Sequence, residues 1–145
     1  MKKLYTIGFT QKSAENFINL IKESGAKRII DIRLHANTQL AGFAKQNNLE
    51  YFLKELSNCN YCHIPLMAPS KEIFDDYKKH GLEWHEYERR FKKLINQRKI
   101  EWLIDQKDID GACLLCCEAE ATNCHRRLVA EHLQQYFGDI EIIHL

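Results

Sequence analysis

The sequence predicts an α/β fold: a single compact domain over residues 1–145, with a mostly parallel central sheet of about five strands flanked by helices in Rossmann-like layers. Three observations predict it. Short β-prone runs alternate with segments of helical period along the chain. The runs Arg28-Ile29-Ile30-Asp31-Ile32-Arg33 and Gly111-Ala112-Cys113-Leu114-Leu115-Cys116-Cys117 are almost continuously apolar, as expected of strands covered on both faces. The 145 residues have the length of one domain, 45% of them hydrophobic and 28% charged, and two Pro and six Gly leave little room for a linker.

The elements follow in order. Leu4-Tyr5-Thr6-Ile7 reads as a first strand stopped by Gly8. Ser13 can cap a helix that carries Phe17, Leu20 and Ile21 on one face and ends at Gly25. With Arg28–Arg33 as the second strand, this makes a βαβ unit, for which a right-handed crossover is the rule. Leu34–Gln46 has no period and reads as a loop. A helix over Asn48–Leu56 places Leu49, Phe52, Leu53 and Leu56 together, and Tyr61–Ile64 is a third strand stopped by Pro65. After a loop to Ser70, a capped helix through Ile73, Phe74 and Tyr77 stops at Gly81.

A long helix is expected from about Glu83 to Gln106, with Trp84, Tyr87, Phe91, Leu94, Ile95, Trp102 and Leu103 inward and a charged, solvated outer face. Gly111–Cys117 is the fourth strand. A loop over Glu118–Thr122 leads to a helix over Asn123–Phe137 whose buried face is Leu128, Val129, His132, Leu133 and Tyr136; Gly138 closes it, and Ile140–His144 is the last strand.

Lys and Arg total 21 against 20 Asp and Glu, a formal charge of +1, which excludes a globally basic protein that coats nucleic acid. The start, Met1 to Gly8, lacks the apolar stretch of an export signal, and no window reaches the ~20 apolar residues of a membrane span. A cytoplasmic location with six reduced cysteines and no membrane partner is therefore expected. Nothing in the sequence bears on oligomeric state.

In a parallel sheet, ligands bind beyond the carboxyl ends of the strands. That rule selects Gly8, Phe9 and Thr10; Asp31, Arg33 and His35; His63; and Cys116, Glu118 and Cys124-His125-Arg126. Cys116 and Glu118 share a side of extended backbone. With Thr122 or Asn123 as cap, Cys124, His125 and Arg126 fall in the first turn of the last helix. There, free N–H groups and the helix dipole favour a thiolate or a bound anion. Cys124 is accordingly the thiol expected to be most reactive. Cys113 and Cys117 read as small core residues; Cys116 reads equally as core or site.

Asp31-x-Arg33 is either a structural ion pair at the sheet rim or part of a site. His63 reads as a satisfied core histidine, and His35 as ligand-binding or surface. Tyr5, Phe9, Phe43, Tyr61 and Trp84 read as packing groups. Arg127 can pair with Glu131 one turn on. Arg126 has no carboxylate at helical spacing, so its partner is expected outside the helix: Asp31, Glu118 or a bound anion.

Cys116, Cys124 and His125, with Glu118, are a soft-ligand set. They lack the closely spaced pairs of structural zinc sites, and Cys59 and Cys62, which have that spacing, have no second pair. No cofactor is therefore expected; a metal, if present, belongs at Cys116, Cys124 and His125. Nor does Arg126 stand at the Cys-x₅-Arg spacing of thiol phosphatases.

Tyr5-Thr6-Ile7-Gly8-Phe9-Thr10, Ile30-Asp31-Ile32-Arg33 and Leu114-Leu115-Cys116-Cys117-Glu118 followed by Cys124-His125-Arg126 resemble, in order, the bacterial and archaeal family labelled domain of unknown function 488. The resemblance implies a compact α/β fold and a clustered polar site, and supplies no reaction. It puts Asp31, Arg33, Cys116, Glu118, Cys124, His125 and Arg126 on motif positions. Many members have Pro and Ser shortly after the strand; here the run Leu34–Phe43 ends in the Gln39-Leu40-Ala41-Gly42-Phe43 form of a variant branch.

The first functional expectation is a small enzyme acting on a phosphate-bearing substrate, a nucleotide or a nucleic-acid end. Arg33, Arg126 and the helix N-terminus bind the anion, with Gly8, Thr10 and His35 around it. Cys124 is nucleophile or His125 general acid/base, oriented by Glu118 or Asp31. The alternatives are a non-catalytic nucleotide or nucleic-acid binding module, and a thiol or metal sensor built on Cys116, Cys124 and His125.

Overall fold

The computed structural model describes residues 1–36, 44–118 and 120–145. Among them, strands β1 (Lys2–Gly8), β2 (Arg28–Asp31), β3 (Asn60–His63), β4 (Ala112–Cys116) and β5 (Ile140–His144) form one sheet. All pairs are parallel and the order is β3-β2-β4-β1-β5. The helices are α1 (Ala14–Ser24), α2 (Gln46–Ser57), α3 (Lys71–Lys79), α4 (Trp84–Arg98) and α5 (His125–Phe137). None is long and apolar enough to cross a membrane.

The alternation of side chains divides the core. Tyr5, Ile7, Ile29, Cys113 and Leu115 face α1 and α2, which bury Phe17, Ile21, Leu49 and Leu53 against them. Leu4, Ile30, Leu114 and Cys116 face α4 and α5, which bury Phe91, Ile95, Leu128 and Leu133. Each fully buried Leu, Ile or Phe contributes roughly 1.5–3 kcal/mol relative to exposure. Cys113 is thus a core residue, whereas Cys116, three residues on, points to the other layer at the end of the central strand.

This topology opens a crevice. The chain leaves β1 and β2 toward one face of the sheet and leaves β4, which lies between them, toward the other. Oppositely directed connections from neighbouring strands part at the carboxyl edge, and the gap is where α/β proteins bind ligands.

Local signals set several boundaries. Ser13 Oγ accepts the Asn16 amide at 3.1 Å, and Gly25 ends α1 in the left-handed region at φ 76°. Ser70 Oγ accepts the Ile73 amide at 3.2 Å and starts α3. Helix α3 has no fully buried residue; it is held by Tyr77, whose ring lies 4.6 Å from that of Tyr87 and 5.7 Å from that of Trp84. With so little packing, α3 depends on its cap. Ser70→Ala is expected to cost about 1 kcal/mol in denaturant unfolding and to raise amide exchange across Lys71–Lys79.

Four expectations need correction. The long helix stops at Arg98, because Lys99 takes the left-handed conformation at φ 51°. Short 3-10 turns follow at Ile100–Trp102 and Gln106–Asp108. The turn buries Ile100 completely and puts Trp102 outside, 69% exposed, with Lys99 Nζ 4.4 Å above its ring. Tyr136 is also exposed, in the last turn of α5 before the edge strand β5. Cys124 itself, not Thr122 or Asn123, is the N-cap of α5.

Candidate functional site

The floor of the crevice is built where β4 ends. Cys116 closes the strand beside Gly8 of β1, and the Thr10 amide donates to the Cys117 carbonyl at 3.1 Å, fastening the turn. The Glu118 carbonyl and Arg126 Nη1 approach Gly8 so closely that a Cβ there would overlap both. Arg126 is 1% exposed. Its Nη1 donates to the Glu118 carbonyl and lies 3.5 Å from Cys116 Sγ. The expected outside partner is therefore the backbone of Glu118, whose carboxylate turns instead to Lys78.

His125 opens α5 with its Nε2 2.8 Å from the Ile32 carbonyl oxygen. A carbonyl only accepts, so the neutral ring carries its proton on Nε2 and its lone pair on Nδ1. Phe91 meets the ring edge-on, with centroids 5.7 Å apart. Cys116, Cys124 and His125 each bring one ligand-type atom to within 4.8 Å of the others. Burial pushes both thiols up; the Cys116 thiol as donor, together with the Arg126 amide and guanidinium, outweighs this at Cys124 and holds it below the usual thiol value. Cys116 stays far above that value.

Asp31 and Arg33 form the second part. They are 0% and 2% exposed and joined side by side, Nε to Oδ1 at 2.8 Å and Nη2 to Oδ2 at 2.6 Å. Tyr61 donates to Asp31 Oδ2 at 2.6 Å, and His63 Nε2 donates to the Arg33 carbonyl at 2.7 Å. The Phe9 ring lies 5.3 Å from the guanidinium carbon. Burial alone would lower the Arg33 pKa, but its bond to Asp31 raises it above the ordinary value; burial and the same carboxylate push the Tyr61 hydroxyl up. Arg33 Nη1 is buried and has no hydrogen-bond partner among the described residues.

Above this floor lies a cavity of about 620 Å³. Arg33 and His35 line it from the β2 side, and Cys116, Cys117, Glu118, Cys124 and His125 from below. Lys71, Phe74, Lys78 and Lys79 of α3 and Tyr87 of α4 form the opposite wall. Lys78 pairs with Glu118; burial would lower its pKa, but that carboxylate raises it. Lys71 and Lys79 flank Asp75 at 3.3 and 3.7 Å.

Of the residues selected from the sequence, Arg33, His35, Cys116, Glu118, Cys124 and His125 line this cavity. Asp31, Arg126 and Gly8 lie in or beneath its walls, and Thr10 is exposed beside the turn. The Gln39–Phe43 run lies outside the described residues. Cys59 is buried and Cys62 exposed. The lysines of α3, Phe74 and Tyr87 were not singled out from the sequence; a charged helix of nine residues reads as a solvated face.

Residues 13–133 match the family described as domain of unknown function DUF488. The chain belongs to this family. No curated protein and no solved structure matches it. The matched span of this DUF488 chain contains Asp31, Arg33, the cysteine and histidine cluster, and the whole of α3; Gly8 and Thr10 precede it.

Proposed function

We propose that the protein is a small enzyme acting on a phosphate-bearing substrate, a nucleotide or a nucleic-acid end. The observation that carries this reading is Arg33 Nη1: a buried guanidinium nitrogen without an acceptor among the described residues, on a side chain that lines a cavity rimmed by Lys71, Lys78 and Lys79. A buried donor left unpaired costs about 1–3 kcal/mol, which an anionic oxygen would offset. The cavity's ~620 Å³ falls within the range of small-molecule sites. Phe74 and Tyr87 offer apolar surface beside the cations, as a base or sugar requires.

In this reading Arg33 and Lys78 hold the phosphate, and the Cys116, Cys124 and His125 cluster faces the reacting bond. Glu118, at the same wall, is placed to exchange a proton. Asp31 keeps the guanidinium in place, and Arg126 keeps the turn.

Calorimetric titration with inorganic phosphate, a nucleoside monophosphate and a 5′-phosphorylated oligonucleotide tests the reading. Lys78→Ala is expected to weaken phosphate binding about tenfold, the loss of roughly 1.4 kcal/mol from one charge-assisted contact. His125→Ala should abolish turnover and leave phosphate binding within a factor of about three, a change of ~0.65 kcal/mol. Binding without turnover by the wild-type chain would favour the binding-module reading; no binding of any phosphate ligand rejects both.

A further inference from the structure

We infer that Cys116, Cys124 and His125 form a binding site for a soft divalent metal of the zinc type, with three protein ligands and a fourth position open to the cavity. The inference deepens the reading above, on which it rests only in taking the cavity as the place of the substrate.

The donor set comes first. Two thiolate sulfurs and one imidazole nitrogen select zinc over magnesium or calcium, which take oxygen ligands. Two Cys and one His with an open fourth position is a known composition for catalytic zinc, whereas structural zinc is closed by four protein ligands. Among the described residues, no other His, Cys, Asp or Glu group has this arrangement.

The geometry comes second. Metal bonds of about 2.3 Å to sulfur and 2.0–2.1 Å to nitrogen, at tetrahedral angles, separate the donors by about 3.5–3.8 Å. The three atoms here already lie within 4.8 Å of one another. Closing the triangle needs side-chain adjustment of about an ångström or less, since the ligands stand on rigid elements: Cys116 at the end of the central strand, Cys124 and His125 at the start of α5.

The surroundings come third. Metal-bound histidine normally donates its other ring N–H to a carbonyl or carboxylate. His125 Nε2 is bound in this way to the Ile32 carbonyl, leaving Nδ1 as the ligand nitrogen. Arg126 Nη1 lies 3.5 Å from Cys116 Sγ, where its charge offsets that of a metal-bound sulfur, and the α5 N-terminus adds partial positive charge. A metal also accounts for two thiols and an imidazole being gathered beside a buried guanidinium. Cys124 is then a ligand and not a nucleophile, and the open position receives a water or a substrate atom.

The test uses the full chain purified without added metal or chelator. Elemental analysis is expected to find about one zinc ion per chain. Replacement by Co(II) should give thiolate-to-cobalt charge-transfer absorption. His125→Ala should lose more than the roughly 10–100-fold of zinc affinity typical when only an outer partner is removed. Cys124→Ala gives a second variant in case one fails to fold, and circular dichroism reports which are folded. Added zinc should protect Cys124 from alkylation.

Absence of zinc and cobalt uptake by the folded wild-type chain overturns the inference, as does uptake unchanged in both folded variants. Phosphate binding by a folded wild-type chain that takes up no metal rejects the metal alone. Metal uptake with no phosphate binding rejects the substrate reading and leaves the metal site standing.

Discussion

Asp31→Asn is expected to destabilise the protein by about 3–5 kcal/mol, the usual cost of leaving one member of a buried ion pair uncompensated. Asp31 is fully buried, and both of its oxygens serve Arg33, one of them also Tyr61. Asparagine keeps the size but removes the charge that balances a guanidinium 2% exposed. The loss should therefore come from electrostatics and desolvation, not from a cavity. Asp31→Asn combined with Arg33→Met should be less damaging than Asp31→Asn alone, because the stranded cation is gone. Urea unfolding of the two single variants and the double variant gives the coupling. A loss below about 1 kcal/mol for Asp31→Asn would mean that water reaches the pair and that surface-pair energetics apply.

Gly8→Ala is expected to cost roughly 3 kcal/mol, the upper part of the range for inserting a methyl group into filled space. The added Cβ meets the Glu118 backbone carbonyl and Arg126 Nη1, and a backbone carbonyl cannot rotate away as a side-chain tip can. The turn between β4 and α5 must move, and it carries Glu118 on its way to Cys124 and His125. The variant should thus lose stability and site together. Thr10→Ala, at an exposed neighbour, should change stability by no more than about 0.5 kcal/mol. Parallel thermal melts and phosphate titrations of both variants read the difference; a Gly8→Ala protein with wild-type melting and binding would show that the close approach does not constrain the turn.

The two variants act on residues that the sequence selected for reasons of position, and the structure explains what those positions do. Gly8 was legible as the stop of a strand, but its role follows from what lies opposite. Asp31 and Arg33 were legible as charges at a strand end, open to a structural or a functional reading. In the structure Asp31 is held by Arg33 and Tyr61, whereas Arg33 both pairs with Asp31 and lines the cavity.

Arg126 shows where local reasoning ends. Helical spacing correctly paired Arg127 with Glu131, found at 3.0 Å, because that contact lies within one helix. The same spacing sent Arg126 outward for a partner but could not choose among carboxylate, anion and backbone. The choice depends on how the turn after Cys116 folds over Gly8, a matter of contacts between distant segments. The two cysteines beside Arg126 show the same limit. Cys116 and Cys124 do not form a short ligand pair along the chain, yet a strand end and a helix cap bring their sulfurs together.

By itself, the sequence determined the layered α/β class, the strands, the capped helix starts at Ser13 and Ser70, the ends at Gly25 and Gly138, and the edge of the sheet at which polar residues collect. These are set by period, by backbone conformation and by hydrogen bonds a few residues long. Only the tertiary structure decided that α3 closes over the crevice with Lys71 and Lys78, that Trp102 and Tyr136 are outside, and that Cys116, Cys124 and His125 meet. A short charged helix reads as solvated along its length. It takes the ring stack of Tyr77, Trp84 and Tyr87 to fold that helix back, and a stack of side chains from two helices is an energy of packing that no single segment contains.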